Sequence, residues 1–110
     1  MKTKKFQSLL TDEKRLIEVA KKAISIWGED SQIRHLHEEV GELIVAINHF
    51  KRGRVSKEAV QEEIADVILM AYEMAVIFGD KGVRKQLKSK LRIFEKRIQQ
   101  YKKNPTAFKP

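Results

Sequence analysis

The longest apolar stretch of the chain covers residues 67–78 and reads VILMAYEMAVIF, with Glu73 as its only charged residue. Placed on a helix, this stretch is apolar on nearly every side, which is typical of a helix buried on several sides. Directly before it stands the segment EEIAD, in which Glu63 and Asp66 are three residues apart and share a helix face. The pattern predicts a helix that carries two carboxylates to the start of a core-forming segment.

A second acidic cluster, Glu38-Glu39-Val40-Gly41-Glu42, is also followed by apolar residues, in this case LIVAI. Carboxylates are rarely buried without a partner, because removing a bare charge from water is very costly. Two carboxylate pairs beside core-forming segments therefore indicate a shared cation. A hard divalent ion, which prefers oxygen ligands, fits this composition of side chains.

Apolar periodicity and helix-capping residues predict an all-α fold with four helices. Glycines end the first three helices, and Ser31 and Ser56 are placed as the N-caps of the second and third. Turns are expected at residues 29–31 and 80–82. The predicted helices cover roughly residues 12–27, 32–52, 57–78 and 83–103. Because a short loop joins the second helix to the third, we expect these two to pack antiparallel, which allows the acidic clusters to meet.

The length of 110 residues predicts a single small domain over residues 1–110, with a flexible lead-in at 1–10 and a flexible tail at 104–110. The chain has no cysteine, which excludes disulfides and thiolate metal sites and suits a cytoplasmic location. Its first residues are basic, but no apolar segment follows them, so we expect no signal peptide. The apolar run at 67–78 is too short to span a bilayer.

The net charge of +8 is unevenly distributed along the chain. Residues 81–110 hold eleven basic residues and one acid, whereas residues 1–80 carry a net charge of −2. A basic final helix beside an acidic body suits a phosphate-bearing ligand. A basic surface that binds nucleic acid predicts the same asymmetry.

The sequence Glu38-Glu39-x-x-Glu42, followed by Glu63-x-x-Asp66, resembles the paired acidic motifs of the MazG-like all-α nucleoside triphosphate pyrophosphohydrolases. Further segments resemble small phage- or prophage-type members of that superfamily: Trp27-Gly28 with Gln32, Lys51-Arg52-Gly53, and Glu62-Glu63-Ile64-Ala65-Asp66-Val67. The resemblance covers roughly residues 13–100. It implies a four-helix MazG-like bundle, completed by oligomerisation, that cleaves ribo- or deoxyribonucleoside triphosphates between the α and β phosphates.

The resemblance also implies a role for each acid. The residues that match the magnesium ligands of the family are Glu39, Glu42, Glu63 and Asp66, and Mn²⁺ is the expected substitute for Mg²⁺. Glu38 and Glu39 are the expected catalytic residues, with Glu38 acting as a further ligand, as support for a ligand or as the general base. Carboxylate-bound cations neutralise phosphate oxygens and lower the pKa of a bound water. No nucleophilic side chain is required.

The expected substrate-binding residues are Trp27, Gln32, His35, His49, Lys90 and Arg97. Trp27 is either part of the core or a platform on which a base stacks. His35 and His49 share a helix flank with the first acidic cluster, either as surface residues or as contacts to the substrate. Lys90 and Arg97 either belong to a solvated basic face or reach the triphosphate.

The third helix is apolar all round, and three neighbouring helices with one apolar stripe each cannot cover it. We therefore expect a homodimer or a tetramer, in which Leu69, Tyr72 and Val76 help to cover an interface. One alternative is an enzyme similar to phosphoribosyl-ATP pyrophosphohydrolase, whose architecture and acidic pattern are alike. The other is a non-enzymatic, basic helical protein that binds nucleic acid or regulates a partner, although we expect nucleic acid to bind weakly at most. The base specificity of the substrate is not legible in the sequence.

Overall fold

The computed structural model describes residues 12–106, and its architecture is all-α, as the sequence predicts. The four helices are α1 (Glu13–Trp27), α2 (Glu29–Lys51), α3 (Lys57–Phe78) and α4 (Asp80–Lys103), and residues 12–106 contain no strand. The predicted lead-in at 1–10 lies outside the described residues, as do residues 107–110 of the predicted tail. Within residues 12–106, no helix is both long enough and apolar enough to cross a bilayer.

Helices α2 and α4 begin earlier than the sequence predicts. The prediction of turns at residues 29–31 and 80–82 is wrong, because both segments are helical. Ser31 accordingly lies inside α2 and does not cap it. A single glycine separates α1 from α2 and another separates α3 from α4: Gly28 has φ 87° and Gly79 has φ 104°, a backbone region that other residues rarely adopt. A single such residue is enough to end one helix and start the next. The acidic residues in the first turns also favour an early start through the helix dipole.

Helix α3 begins as predicted. The Oγ atom of Ser56 accepts a hydrogen bond of 3.2 Å from the backbone N–H of Ala59, which satisfies one of the free donors of the first turn. α2 ends at Lys51, and the short loop between α2 and α3 contains Gly53 at φ 69°. This turn chemistry sets where α3 starts, and so it sets the positions of the acids that follow.

The chain divides into two compact units, the first reaching Ile77 and the second starting at Phe78. In the first unit, Ala20 of α1 and Met70 of α3 are the buried apolar residues among residues 12–106. The hydroxyl of Tyr72 donates a hydrogen bond of 3.1 Å to Glu13, which ties α3 to α1. The second unit contains α4, along which Lys81, Arg84, Lys85, Lys88 and Arg92 line a groove of about 300 Å³.

Candidate metal centre and ligand cavity

Carboxylates from α2 and α3 meet in the first unit. Glu39 is on α2, and Glu63 and Asp66 are on the first half of α3, one helical turn apart. One carboxylate oxygen from each of these three residues lies within 4.8 Å of the other two, and all three side chains are half-buried. The two acidic motifs thus form one cluster, as the antiparallel hairpin of the sequence analysis allows.

Two oxygens of this cluster have no hydrogen-bond partner among residues 12–106. Oε2 of Glu39 and Oε2 of Glu63 are buried and make no hydrogen bond within the described part of the chain. Burial raises the pKa of Glu39, and the charges of Glu42 and Asp66 raise it further, partly offset by His35. Burial likewise raises the pKa of Glu63, with added repulsion from Glu42, Asp66 and Glu39. Buried carboxylate oxygens that repel one another are suitable ligands for a hard cation.

The acids therefore fit a metal ion, and Glu39, Glu63 and Asp66 are the residues that could hold it. Glu42 is exposed and lies outside this group of converging oxygens, although its charge raises the pKa of both Glu39 and Glu63, so its part in holding an ion stays a prediction. Each of these carboxylates supplies hard oxygen donors, and sulfur and imidazole ligands are not needed.

The raised pKa of Glu63 predicts how the metal-free protein responds to pH. Because the folded state holds the proton more tightly than the unfolded state, this group stabilises the fold fully below its unfolded pKa. That contribution is lost as the pH rises through the folded pKa. As the pH rises from the unfolded-state pKa through the folded-state pKa of Glu63, we therefore expect the melting temperature of metal-free Glu63→Gln, which cannot ionise, to fall less steeply than that of the wild type. At neutral pH it should exceed that of the wild type.

The measurement is a series of thermal melts in the presence of a chelator, from below the unfolded-state pKa of Glu63 to above its folded-state pKa. Glu62→Gln is the matched control, since Glu62 is an exposed neighbour on the same helix. Parallel curves for the wild type and Glu63→Gln would contradict the repulsion described for the cluster.

His35 links the cluster to a neighbouring cavity. Its Nε2 atom lies 2.9 Å from Oε1 of Glu39, a hydrogen bond that orients the carboxylate. Such contacts commonly fix the geometry of metal-binding side chains. The cavity has a volume of about 370 Å³ and is lined by Trp27, Ser31, Gln32, Arg34, His35 and Glu38. Its size lies within the range typical of small-ligand sites.

One residue of the cavity wall, Gln32, belongs to a buried polar pair. Gln32 of α2 is 4% exposed and Glu73 of α3 is 8% exposed. The amide of Gln32, with its nitrogen toward Glu73, donates to both carboxylate oxygens, at 3.3 Å for Oε2. Burial raises the pKa of Glu73, and the nearby His35 partly offsets this effect. The one charged residue of the apolar run is therefore partnered by a residue of the cavity.

Several predicted site residues converge here and others do not. Trp27, Gln32, His35 and Glu38 share the cavity, and Trp27 is 62% exposed, which rules out the core alternative for this residue. His49 is half-buried near the end of α2, roughly 15 Å along the helix axis from Glu39. The exposed Lys90 and the exposed Arg97 lie on α4, in the second unit. The roles of all these residues stay predictions.

Glu73, Ser31 and Arg34 were not predicted as residues of the site. For Glu73 a clue was available, because a lone carboxylate in an apolar helix needs a polar partner. The identity of that partner depends on how α2 and α3 are aligned, which the sequence pattern leaves open.

A comparison with protein-family models matches residues 28–103 to the MazG nucleotide pyrophosphohydrolase domain. The match covers more than half of the chain and includes the carboxylates of the cluster and all the lining residues of the cavity except Trp27. Searches of curated proteins and of solved structures found no match.

Proposed function

Because the chain belongs to the MazG nucleotide pyrophosphohydrolase family, we propose that it is a Mg²⁺-dependent enzyme that hydrolyses nucleoside triphosphates between the α and β phosphates. The products are the nucleoside monophosphate and pyrophosphate. The observation that supports this proposal most strongly is the convergence of Glu39, Glu63 and Asp66, with two buried carboxylate oxygens that lack hydrogen-bond partners among the described residues.

In this proposal Glu39, Glu42, Glu63 and Asp66 hold the ion. A bound Mg²⁺ would supply Lewis-acid stabilisation of the phosphate oxygens and a more acidic water, and Mn²⁺ would substitute for it. His35 holds the Glu39 carboxylate in place through its hydrogen bond. Asp66 and Glu63, one turn apart on α3, keep their spacing through the helix itself.

Glu38 is the proposed general base, in cooperation with Glu39. It is exposed on α2 and lines the cavity, so its carboxylate can accept a proton from an attacking water without being buried. Glu38 lines the cavity together with His35, and His35 is hydrogen-bonded to Glu39 of the cluster, which supports a proton acceptor near the proposed metal site. Support for a ligand is the alternative role of Glu38.

The cavity is the proposed site for the nucleoside. The exposed face of Trp27 offers a stacking surface, and base stacking on an aromatic side chain is worth about 1–3 kcal/mol. Gln32 and His35 provide polar groups on the wall of the same cavity. His49, Lys90 and Arg97 remain candidates for contacts to the substrate, with the two cations on α4 suited to the triphosphate.

A panel screen tests the function. Ribo- and deoxyribonucleoside triphosphates, damaged nucleotides and phosphoribosyl-ATP would each be incubated with the protein in Mg²⁺, in Mn²⁺ and in a chelator, with pyrophosphate as the readout. We expect metal-dependent release from at least one nucleoside triphosphate. Activity restricted to phosphoribosyl-ATP would select the alternative enzyme class, and no release from any member would overturn the proposal.

We further propose that the protein is a cytoplasmic homodimer or tetramer. Large apolar side chains are exposed on every helix of the chain, including Leu69 of α3, which is 46% exposed. Monomeric proteins rarely leave so much apolar surface in water. Tyr72 and Val76, the other predicted interface residues, are half-buried in the single chain.

Sedimentation provides the oligomer test. We expect the wild type to sediment as a dimer or larger at micromolar concentration, and Leu69→Asp to shift it towards a smaller species, because a buried charge at the interface has no partner. Gln61→Asp is the control, since Gln61 is exposed and polar on the same helix. A monomeric wild type would refute the predicted interface.

The basic groove on α4 favours a second candidate, a protein that binds nucleic acid. Five cationic residues line this groove, and such clusters attract phosphate backbones in a salt-dependent way. We expect weak, non-specific binding at most. Tight binding of duplex DNA with a steep salt dependence, without pyrophosphate release from any nucleotide, would favour this second candidate over the enzyme.

A further inference from the structure

The pair of Gln32 and Glu73 is the most deeply buried polar contact between α2 and α3 in the described part of the chain. Burying a carboxylate is costly, and its amide partner recovers part of that cost. If the pair only held α2 and α3 together, neither residue would need to line the cavity. Gln32 instead lines the cavity beside Trp27 and His35, so the orientation of its amide bears on what the cavity can bind.

The carboxylate of Glu73 fixes the direction of that amide. An ionised carboxylate only accepts hydrogen bonds, whereas a glutamine amide has a donor nitrogen and an acceptor oxygen. The nitrogen of Gln32 must therefore face Glu73, where it donates to both oxygens. Reversing the amide would lose these hydrogen bonds and set a carbonyl oxygen against two carboxylate oxygens. The acceptor oxygen of Gln32 then faces away from Glu73.

We infer, on the basis of the proposed function, that Glu73 is a positioning residue that holds the Gln32 acceptor ready for the substrate, so that the cavity selects nucleobases presenting an N–H donor. The donor is an exocyclic amino group. A base without a donor at this point would leave the Gln32 carbonyl without a partner. Selection then results from the cost of an unmade hydrogen bond at Gln32, which is 4% exposed.

Matched ligand pairs test the inference directly. Calorimetric titration would compare nucleoside monophosphates with analogues that lack only one amino group, such as AMP against purine riboside monophosphate, GMP against IMP, and CMP against its analogue with hydrogen in place of the amino group. In at least one pair, the wild type should bind the donor-bearing member about 3- to 10-fold more tightly, which is typical of one hydrogen bond. Equal affinities in every pair, or no binding of any member, would overturn the inference.

Glu73→Gln keeps the shape of the side chain at residue 73 but replaces a carboxylate, which only accepts hydrogen bonds, with an amide. The amide introduced by this substitution offers both a donor and an acceptor to Gln32, so the Gln32 amide is no longer held in one direction. The affinity ratio of the discriminated pair should fall towards one. A ratio that is unchanged in a folded Glu73→Gln variant would overturn the inference.

The double exchange Gln32→Glu with Glu73→Gln separates positioning from stability. It rebuilds the pair with its two members reversed and leaves a carboxylate acceptor at residue 32. We expect the preference for a donor-bearing base to return. Recovery of the melting temperature without recovery of the preference would show a structural clamp only, and would overturn the inference. Glu62→Gln, an exposed change on α3, should leave the ratio as in the wild type.

Pyrophosphate release from the corresponding triphosphates, measured in parallel, distinguishes this inference from the proposed function. Binding that depends on Glu73 but is accompanied by no hydrolysis would refute the hydrolase and support the inference about the cavity. Hydrolysis that ignores both the amino group and Glu73 would support the hydrolase and refute the inference.

Discussion

Replacing Asp66 with Ala is expected to reduce kcat/KM for the preferred nucleotide by roughly a thousandfold, because charge stabilisation by a bound metal is worth several kcal/mol. Asp66 lies within 4.8 Å of the carboxylate oxygens of Glu39 and Glu63, so its loss opens the ligand set. Glu63→Ala should have a similar effect. Steady-state measurement of pyrophosphate release over a range of Mg²⁺ concentrations gives the result.

The matched control is Glu62→Ala. Glu62 is adjacent to Glu63 but exposed on α3, outside the group of converging carboxylates. It should keep most of the wild-type activity. An inactive Glu62→Ala beside a fully active Glu63→Ala would show that the other side of α3 carries the site.

The second large effect concerns stability. Saturating Mg²⁺ or Mn²⁺ should raise the melting temperature, because the ion binds the folded state and removes the repulsion among Glu39, Glu63 and Asp66. At about 100 times the dissociation constant, linkage gives about 2.7 kcal/mol per site. For a domain of this size, that corresponds to roughly 10 °C.

Differential scanning calorimetry with and without the ion measures this shift. Asp66→Ala should abolish it, while Glu62→Ala should preserve it. The metal-free Asp66→Ala protein should melt at or above the temperature of the metal-free wild type, since it has lost one of the repelling charges. A shift of equal size in Asp66→Ala would place the ion elsewhere.

The local features of the fold were predictable from the sequence where a residue type alone decides the backbone. The glycines end α1, α2 and α3, and Ser56 caps α3, as the pattern predicts. The starts of α2 and α4 were predicted three residues late, because Gly28 and Gly79 each separate two helices without a longer turn. A glycine predicts a break between two helices, but the neighbouring residues do not predict the length of that break.

The candidate site shows a similar division. The spacing of Glu39, Glu42, Glu63 and Asp66 predicted one shared site, since each motif sets its acids on one helix face and the hairpin allows the two faces to meet. Glu39, Glu63 and Asp66 do converge, whereas Glu42 is exposed and lies outside their group. The pairing of Gln32 with Glu73 was not predictable, because it depends on the alignment of two helices rather than on spacing within one. For Trp27 the sequence left two alternatives open, since its helical spacing fits a core position as well as an exposed one, and the structure selects the exposed one.

The most direct test of the central claim follows both products of one reaction by ³¹P NMR, with the preferred nucleoside triphosphate, Mg²⁺ and either the wild type or Asp66→Ala. The account predicts that the wild type forms nucleoside monophosphate and pyrophosphate in equal amounts, and that Asp66→Ala forms neither at a comparable rate. Formation of nucleoside diphosphate and orthophosphate, or equal rates for the two proteins, would contradict it.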